Sequence, residues 1–169
     1  HDSRVRREAA TLVKAGYKVG IIALWTHFVG PMHQCIRHAD GCWLWRQQLE
    51  HTSGKARFWE MMRKAQSIAR QVFRARVIHA HDLDTLGVGV KLKKEWKAKL
   101  VYDSHEWYTG SIHVENRPMV RFIWKYLEKK WIKAVDSVIT VNQSIAELFL
   151  NQYAFLPSVE IIRNFDQAP

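Results

Sequence analysis

The sequence predicts an α/β domain: a doubly wound, mostly parallel sheet with helices on both faces. Three observations carry that reading. Short apolar runs alternate with segments of helical spacing along most of the chain, the pattern of strand–helix–strand units with right-handed crossovers. Two of the runs, Val77 to Asp82 and Leu100 to Glu106, are apolar at their start, as strands buried on both faces are. Both then stop abruptly in His, Asp and Glu, and ligands of open α/β sheets bind where strands end.

The elements follow in order. Asp2 or Ser3 can cap a first helix with Val5, Ala9, Leu12 and Val13 on one face, and Gly16 suits its left-handed C-terminal cap. Val19 to Trp25 is a buried strand, and no strand precedes the first helix, where a sheet of this type normally begins. Residues 26–54 are the least readable. Asp40–Gly41 marks a turn there, with a short strand over 42–46 after it. Phe58, Met61, Met62, Ala65, Ile68, Ala69, Val72 and Phe73 predict a helix over 55–74. A strand at 77–81 leads into a helix over 84–97 capped by Asp84, then a strand at 99–103 and an aromatic loop over 106–115. Asn116 and Pro118 open a long helix to about Val135. Strand 137–141, a helix opened by a Ser144–Glu147 capping box and a last strand at 159–162 complete the order.

Composition narrows the partners. The chain has 169 residues, enough for one domain with a real core, and its 47% hydrophobic content excludes disorder. A formal charge of +10 points to an anionic partner without choosing among nucleic acid, phosphate-bearing substrate and acidic lipid. No nucleic-acid-binding motif is present, so nucleic acid is not expected. Cys35 and Cys42 are too few for a disulfide framework, which makes a reducing compartment the default. With no apolar run near 20 residues and no signal-peptide core, the expectation is a cytoplasmic protein. Arg121, Lys125, Lys129 and Lys133 form a basic stripe on the long helix, and Val120, Trp124, Leu127, Trp131 and Val135 an apolar one. Lys91, Lys93, Lys94, Lys97 and Lys99 repeat the basic theme. Lysine beside tryptophan (Trp96, Trp107, Trp124, Trp131) would suit an anionic membrane face.

His79, His81, Asp82, His105 and Glu106 read as one wall of a site. His79 and His81 are two apart on a strand and face one side, a spacing also found in zinc hydrolases. No third ligand spacing supports a metal, so none is expected. Asp82–Leu83–Asp84 matches a metal–diphosphate motif too short to weigh. His33, Cys35, His38 and Cys42 fit no zinc pattern and read as a surface loop with an adjoining strand. His105 carries most weight: where a strand gives way to a loop, it could hydrogen-bond a sugar hydroxyl while Trp107 or Tyr108 stacks on the ring. A buried His satisfied by Asp103 or Glu106 is the plainer alternative.

The ordered set of these segments resembles a known family. Asp2 to Ala9, with Leu12 and Ala15–Val19, is similar to the opening helix and second strand of family 4 glycosyltransferases. His79–Asp82, Val101–Glu106, Val138–Asn142 with Ser144, and Ile161–Asn164 follow in that family's order and spacing. The resemblance covers most of the chain. It implies a Rossmann-like half of a GT-B fold over 1–163, with 164–169 starting a linker to a C-terminal nucleotide-sugar-binding half that this chain lacks. It further implies a retaining, metal-independent hexosyltransferase with no cofactor, using a nucleotide-sugar donor and a glycan or glycolipid acceptor. The setting would be polysaccharide biosynthesis, at the inner membrane face. His105 would be the catalytic histidine, and Asp2, Arg4, His81, Asp82, Glu106 and Asn142 substrate contacts. The chain departs from the family in its missing first strand and in carrying His1 to Arg4 where many members have a glycine pair. Two rivals remain: a metal-dependent hydrolase using His79, His81 and His105, and a non-catalytic module that binds an anionic surface.

Overall fold

The computed structural model describes residues 3–26, 31–156 and 158–163, without the side chains of Ile112 and His113. They form two compact units, His1–Arg74 and Ala75–Pro169.

The first unit runs α1 (Ser3–Lys14), β1 (Gly20–Trp25), β2 (His33–Arg37), β3 (Trp43–Gln48) and α2 (Gly54–Val72). Its sheet has the order β1-β3-β2, with β1 parallel and β2 antiparallel to β3. Gly16 follows α1 at φ +88°, a left-handed angle that glycine adopts freely. The apolar face of α1 differs from expectation in part: Ala9 is buried as expected, but Arg4 is buried as well and Leu12 is exposed. Strand β2 replaces the expected loop; its alternating exposed and half-buried residues show one face covered. Buried Glu60 of α2 accepts the backbone N–H groups of Glu50 (2.9 Å) and His51 (3.0 Å) and pairs with Lys64 at 2.6 Å. Burial pushes its carboxyl up, but these bonds outweigh it and hold Glu60 well below the usual carboxylate range.

The second unit holds the fully parallel sheet, in the order β4 (Val77–His81), β5 (Lys99–Ser104), β6 (Ser137–Thr140), β7 (Val159–Ile161). Helix α3 (Asp82–Trp96) links β4 to β5, and α6 (Gln143–Gln152) links β6 to β7. Between β5 and β6 run a 3-10 turn (Tyr108–Gly110), short α4 (Ile112–Glu115), α5 (Pro118–Trp131) and a second 3-10 turn (Ile132–Ala134). This is the Rossmann-like arrangement expected. Its core joins Leu83 and Leu86 of α3, Leu100 and Tyr102 of β5, Ile132, Val138 of β6, and Phe149 with Tyr153. Helix α3 approaches the sheet closely because Gly89 has no side chain: a Cβ there would stand 2.7 Å from Leu100 Cδ1.

Several local expectations are corrected. The N-cap of α3 is His81, and Asp84 lies inside the first turn. No Ser144–Glu147 box forms: Asn142 is the N-cap of α6, its Oδ1 accepting the Ile145 N–H at 2.9 Å, and Glu147 accepts Gln143 Nε2. The aromatic loop contains two helical turns. Trp107, Trp124 and Trp131 pack against the core instead of facing out. Lys93 and Lys99 do not stand in an open basic patch, since both pair with Asp136. Burial pushes that carboxyl up, and bonds from Lys93, the Leu100 N–H and Lys99 bring it down to about 2. Arg121 likewise leaves the basic stripe, donating from Nε to the Thr109 carbonyl at 2.8 Å.

Glu128 of α5 is buried and accepts the Tyr153 hydroxyl at 2.8 Å. Burial raises its pKa from 4.5 to about 7 despite that bond and the Lys125 charge. The folded state therefore holds a proton that the unfolded chain releases, and the stability this group contributes is full below pH 4.5 and is lost as pH rises towards 7. Glu128→Gln should gain about 3 kcal/mol relative to the parent between pH 4.5 and 8, read by urea denaturation. A pH-independent difference between the two would contradict this.

Candidate functional site

Parallel pairing of β4 and β5 sets His81 in register with Asp103, and His79 with Val101. Residues in register share a face, so the two histidines and Asp103 come to one side at the carboxyl ends of the strands. Asp103 is 0% exposed. Three imidazole nitrogens surround its Oδ2: His81 Nδ1 at 3.5 Å, His79 Nε2 at 3.6 Å and His105 Nε2 at 3.6 Å. The His79 and His81 rings stack with centroids 4.3 Å apart, and His81 Nδ1 lies 3.3 Å from His105 Nε2. A carboxylate withdrawn from water needs hydrogen-bonding or cationic neighbours, which explains why imidazoles cluster here.

Asp82 fixes the other end of His105. Its Oδ1 accepts the His105 backbone N–H at 3.2 Å and its Oδ2 faces the ring Nδ1 at 3.6 Å. Asp82 does this from a left-handed backbone, φ 64°, at the sharp turn from β4 into α3. Asp tolerates this region better than most residues but not without strain, and strain of this kind concentrates at functional sites. Beyond β5, Ser104 Oγ donates to the Glu106 carbonyl at 2.7 Å while Thr140 Oγ1 donates to the Ser104 carbonyl at 3.0 Å. Those bonds set the path of the loop that completes a cleft of about 370 Å³, lined by Asp82, Asp84, His105, Glu106 and Tyr108.

Of the residues singled out in the sequence, His105, Asp82 and Glu106 line this cleft, and His81 adjoins it through His105. Asn142 sits at the end of β6 with its Oδ1 committed to the α6 cap. Arg4 belongs to the first unit, buried on α1 and ion-paired to Glu8 at 3.0 Å. Asp2 lies outside the described residues. Trp107 turns its indole to Phe149, ring centroids 5.0 Å apart, which leaves Tyr108 as the aromatic at the cleft. Both cysteines are free, and among the described residues His33, Cys35, His38 and Cys42 form no set of three ligand atoms close enough to share an ion. Sequence reasoning passed over Asp103 as the hub and Asp84 as a lining residue. The signal for Asp103 was its place in the pairing, two residues before His105 and opposite His81.

The profile described as Glycosyltransferase Family 4 matches residues 3–165. Two solved structures, each titled as a sucrose-phosphate synthase from Thermosynechococcus elongatus, superpose with TM-scores of 0.68 at 15% and 18% identity. Each likeness covers 97% of this chain, and 85% and 42% of the two solved chains respectively. The chain thus spans less than half of the second. At such identity the likeness is one of fold. Among curated proteins, none matches this chain.

The turn at Asp82 is open to test. Asp82→Ala loses the acceptor for the His105 N–H and keeps a left-handed angle that alanine resists, whereas Asp82→Gly loses only the acceptor. In chemical denaturation Ala should be about 1 kcal/mol less stable than Gly. Equal stability of the two would remove the strain argument.

Proposed function

Since the chain belongs to glycosyltransferase family 4, we propose that it forms the acceptor-side half of a retaining hexosyltransferase, moving sugar from a nucleotide-sugar donor to a glycan or glycolipid. The observation that carries this reading is His105 at the carboxyl end of a parallel strand, lining a polar cleft with its ring held between two carboxylates, Asp82 and Asp103. Open α/β sheets bind ligands at that edge. In this account His105 donates a hydrogen bond to the transferred sugar, Asp82 fixes the ring, and Glu106 and Tyr108 contact sugar hydroxyls and ring face. His81 and Asn142 line the approach; Asp2 and Arg4 are assigned to donor or acceptor by likeness to the family's first loop alone, since Arg4 is buried on α1 and paired with Glu8. No metal or other cofactor takes part in the transfer, and a second half supplies most of the donor contacts. The hydrolase alternative draws no support from the family.

In the full-length protein carrying this chain, His105→Ala should lower kcat by about 10²–10³-fold, the usual effect of removing one donor aimed at developing charge. Unchanged transfer would refute its role. Titration of this chain alone with UDP- and GDP-sugars should show weak binding, and tight binding would refute the two-half account.

One observation favours an acceptor carried by a membrane. Met119, Phe122, Ile123 and Tyr126 recur at helical spacing on α5 and are exposed, Met119 at 77% and Phe122 at 73%. Exposed Lys125, Lys129, Lys130 and Lys133 lie on the same helix and the turn after it. An apolar stripe bordered by lysines matches the surface of an anionic bilayer. Co-sedimentation with acidic but not neutral vesicles, lost on Phe122→Ser with Tyr126→Ser, is the expected result. Equal sedimentation with both vesicle types, or with neither, would contradict it.

A further inference from the structure

We infer that His81, Asp103 and His105, with His79 beside them, form a binding site for Zn²⁺. Three donor atoms make a nearly equilateral triangle. His81 Nδ1 and His105 Nε2 are 3.3 Å apart, and they stand 3.5 and 3.6 Å from Asp103 Oδ2. Tetrahedral zinc with bonds of about 2.0–2.1 Å to nitrogen and oxygen spaces its ligand atoms about 3.3–3.4 Å apart, so this triangle is one face of such a site within a few tenths of an ångström. His79 Nε2 reaches the same Asp103 oxygen at 3.6 Å, and the His79, His81 and Asp103 ligand atoms lie within 4.8 Å of one another. His79 thus stands beside the triangle, its ring stacked on that of His81, and the three ligands of the face are His81, Asp103 and His105.

The donor set selects the class of ion. Imidazoles with one carboxylate suit zinc and neighbouring transition metals, whereas Mg²⁺ and Ca²⁺ take oxygen ligands. Support around the ligands is also present. Asp82 Oδ2 faces the far nitrogen of His105 at 3.6 Å, the carboxylate–histidine relation that orients imidazoles on metals. Asp103 is carried by a central strand of the parallel sheet, whose register holds it opposite His81. The proposed sugar transfer uses no metal; bound zinc would occupy His105 Nε2 and so oppose it. That consequence rests on the glycosyltransferase reading, while zinc binding itself does not.

The test uses this chain, purified without a polyhistidine tag and stripped with chelator, titrated with Zn²⁺ against a chromophoric competitor. One Zn²⁺ per chain is expected. Loss of a supporting residue alone typically weakens a metal site about 10–100-fold, so His81→Ala and His105→Ala should each weaken binding at least that much, with circular dichroism showing that both remain folded. X-ray absorption at the zinc edge should show nitrogen and oxygen neighbours near 2.0–2.1 Å only. No binding, binding unchanged in both folded variants, or a sulfur shell from Cys35 or Cys42 would each overturn the proposal. Lost transfer in the His105 variant of the full-length protein with zinc binding intact would overturn the site and leave the transfer reading standing.

Discussion

A carboxylate buried at the end of a central strand is the constraint from which the rest of the site follows. Asp103 is fully withdrawn from water, and a charge in that position is stable only among groups that can donate to it. Parallel pairing of β4 with β5 places His81 opposite Asp103. The two-residue period of β4 adds His79 on the same face, and the turn out of β5 swings His105 back over it. Replacing the parallel register by a one-residue slip would move both histidines of β4 to the opposite face and leave Asp103 without them. The cleft is therefore a product of strand register first and loop geometry second.

Helix α5 shows how one element meets two demands. Its inner side carries Trp124, Trp131 and buried Glu128 with its Tyr153 partner, while Met119, Phe122, Ile123 and Tyr126 remain outside. A buried carboxylic acid and an exposed apolar stripe on one helix both run against simple amphipathic logic. The first is accommodated by protonation and a hydrogen bond; the second is what a helix that meets a non-aqueous surface would carry. Membrane crossing is a separate matter: among the described residues, no helix is long and apolar enough to span a bilayer.

Much of the second unit was legible because its strands are continuous apolar runs ending in polar residues and its helices carry apolar positions at helical spacing. Strands 77–81 and 99–103 were placed within a residue of the observed bounds. Strand β2 was not, because His33, Gln34, Cys35, Ile36 and Arg37 hold too few apolar residues to register as a strand, and it pairs antiparallel along β3 instead of being buried. The cap of α6 falls to Asn142 where the spacing points to a Ser144–Glu147 box: Asn, Ser and Thr compete for the same capping position, and spacing alone cannot say which wins. Asp103 was hidden for another reason. A carboxylate inside an apolar run looks like a strand terminus, and only the pairing partner reveals that it faces three imidazoles.

The most direct test of this account is NMR of the histidine side chains in Asp103→Asn. Imidazole ¹⁵N resonances of His79, His81 and His105 should all move, while that of His51, bonded to Glu60 in the other unit, stays in place and reports that the fold persists. Movement of only one of the three, or of none, would contradict the claim that a single buried carboxylate gathers them.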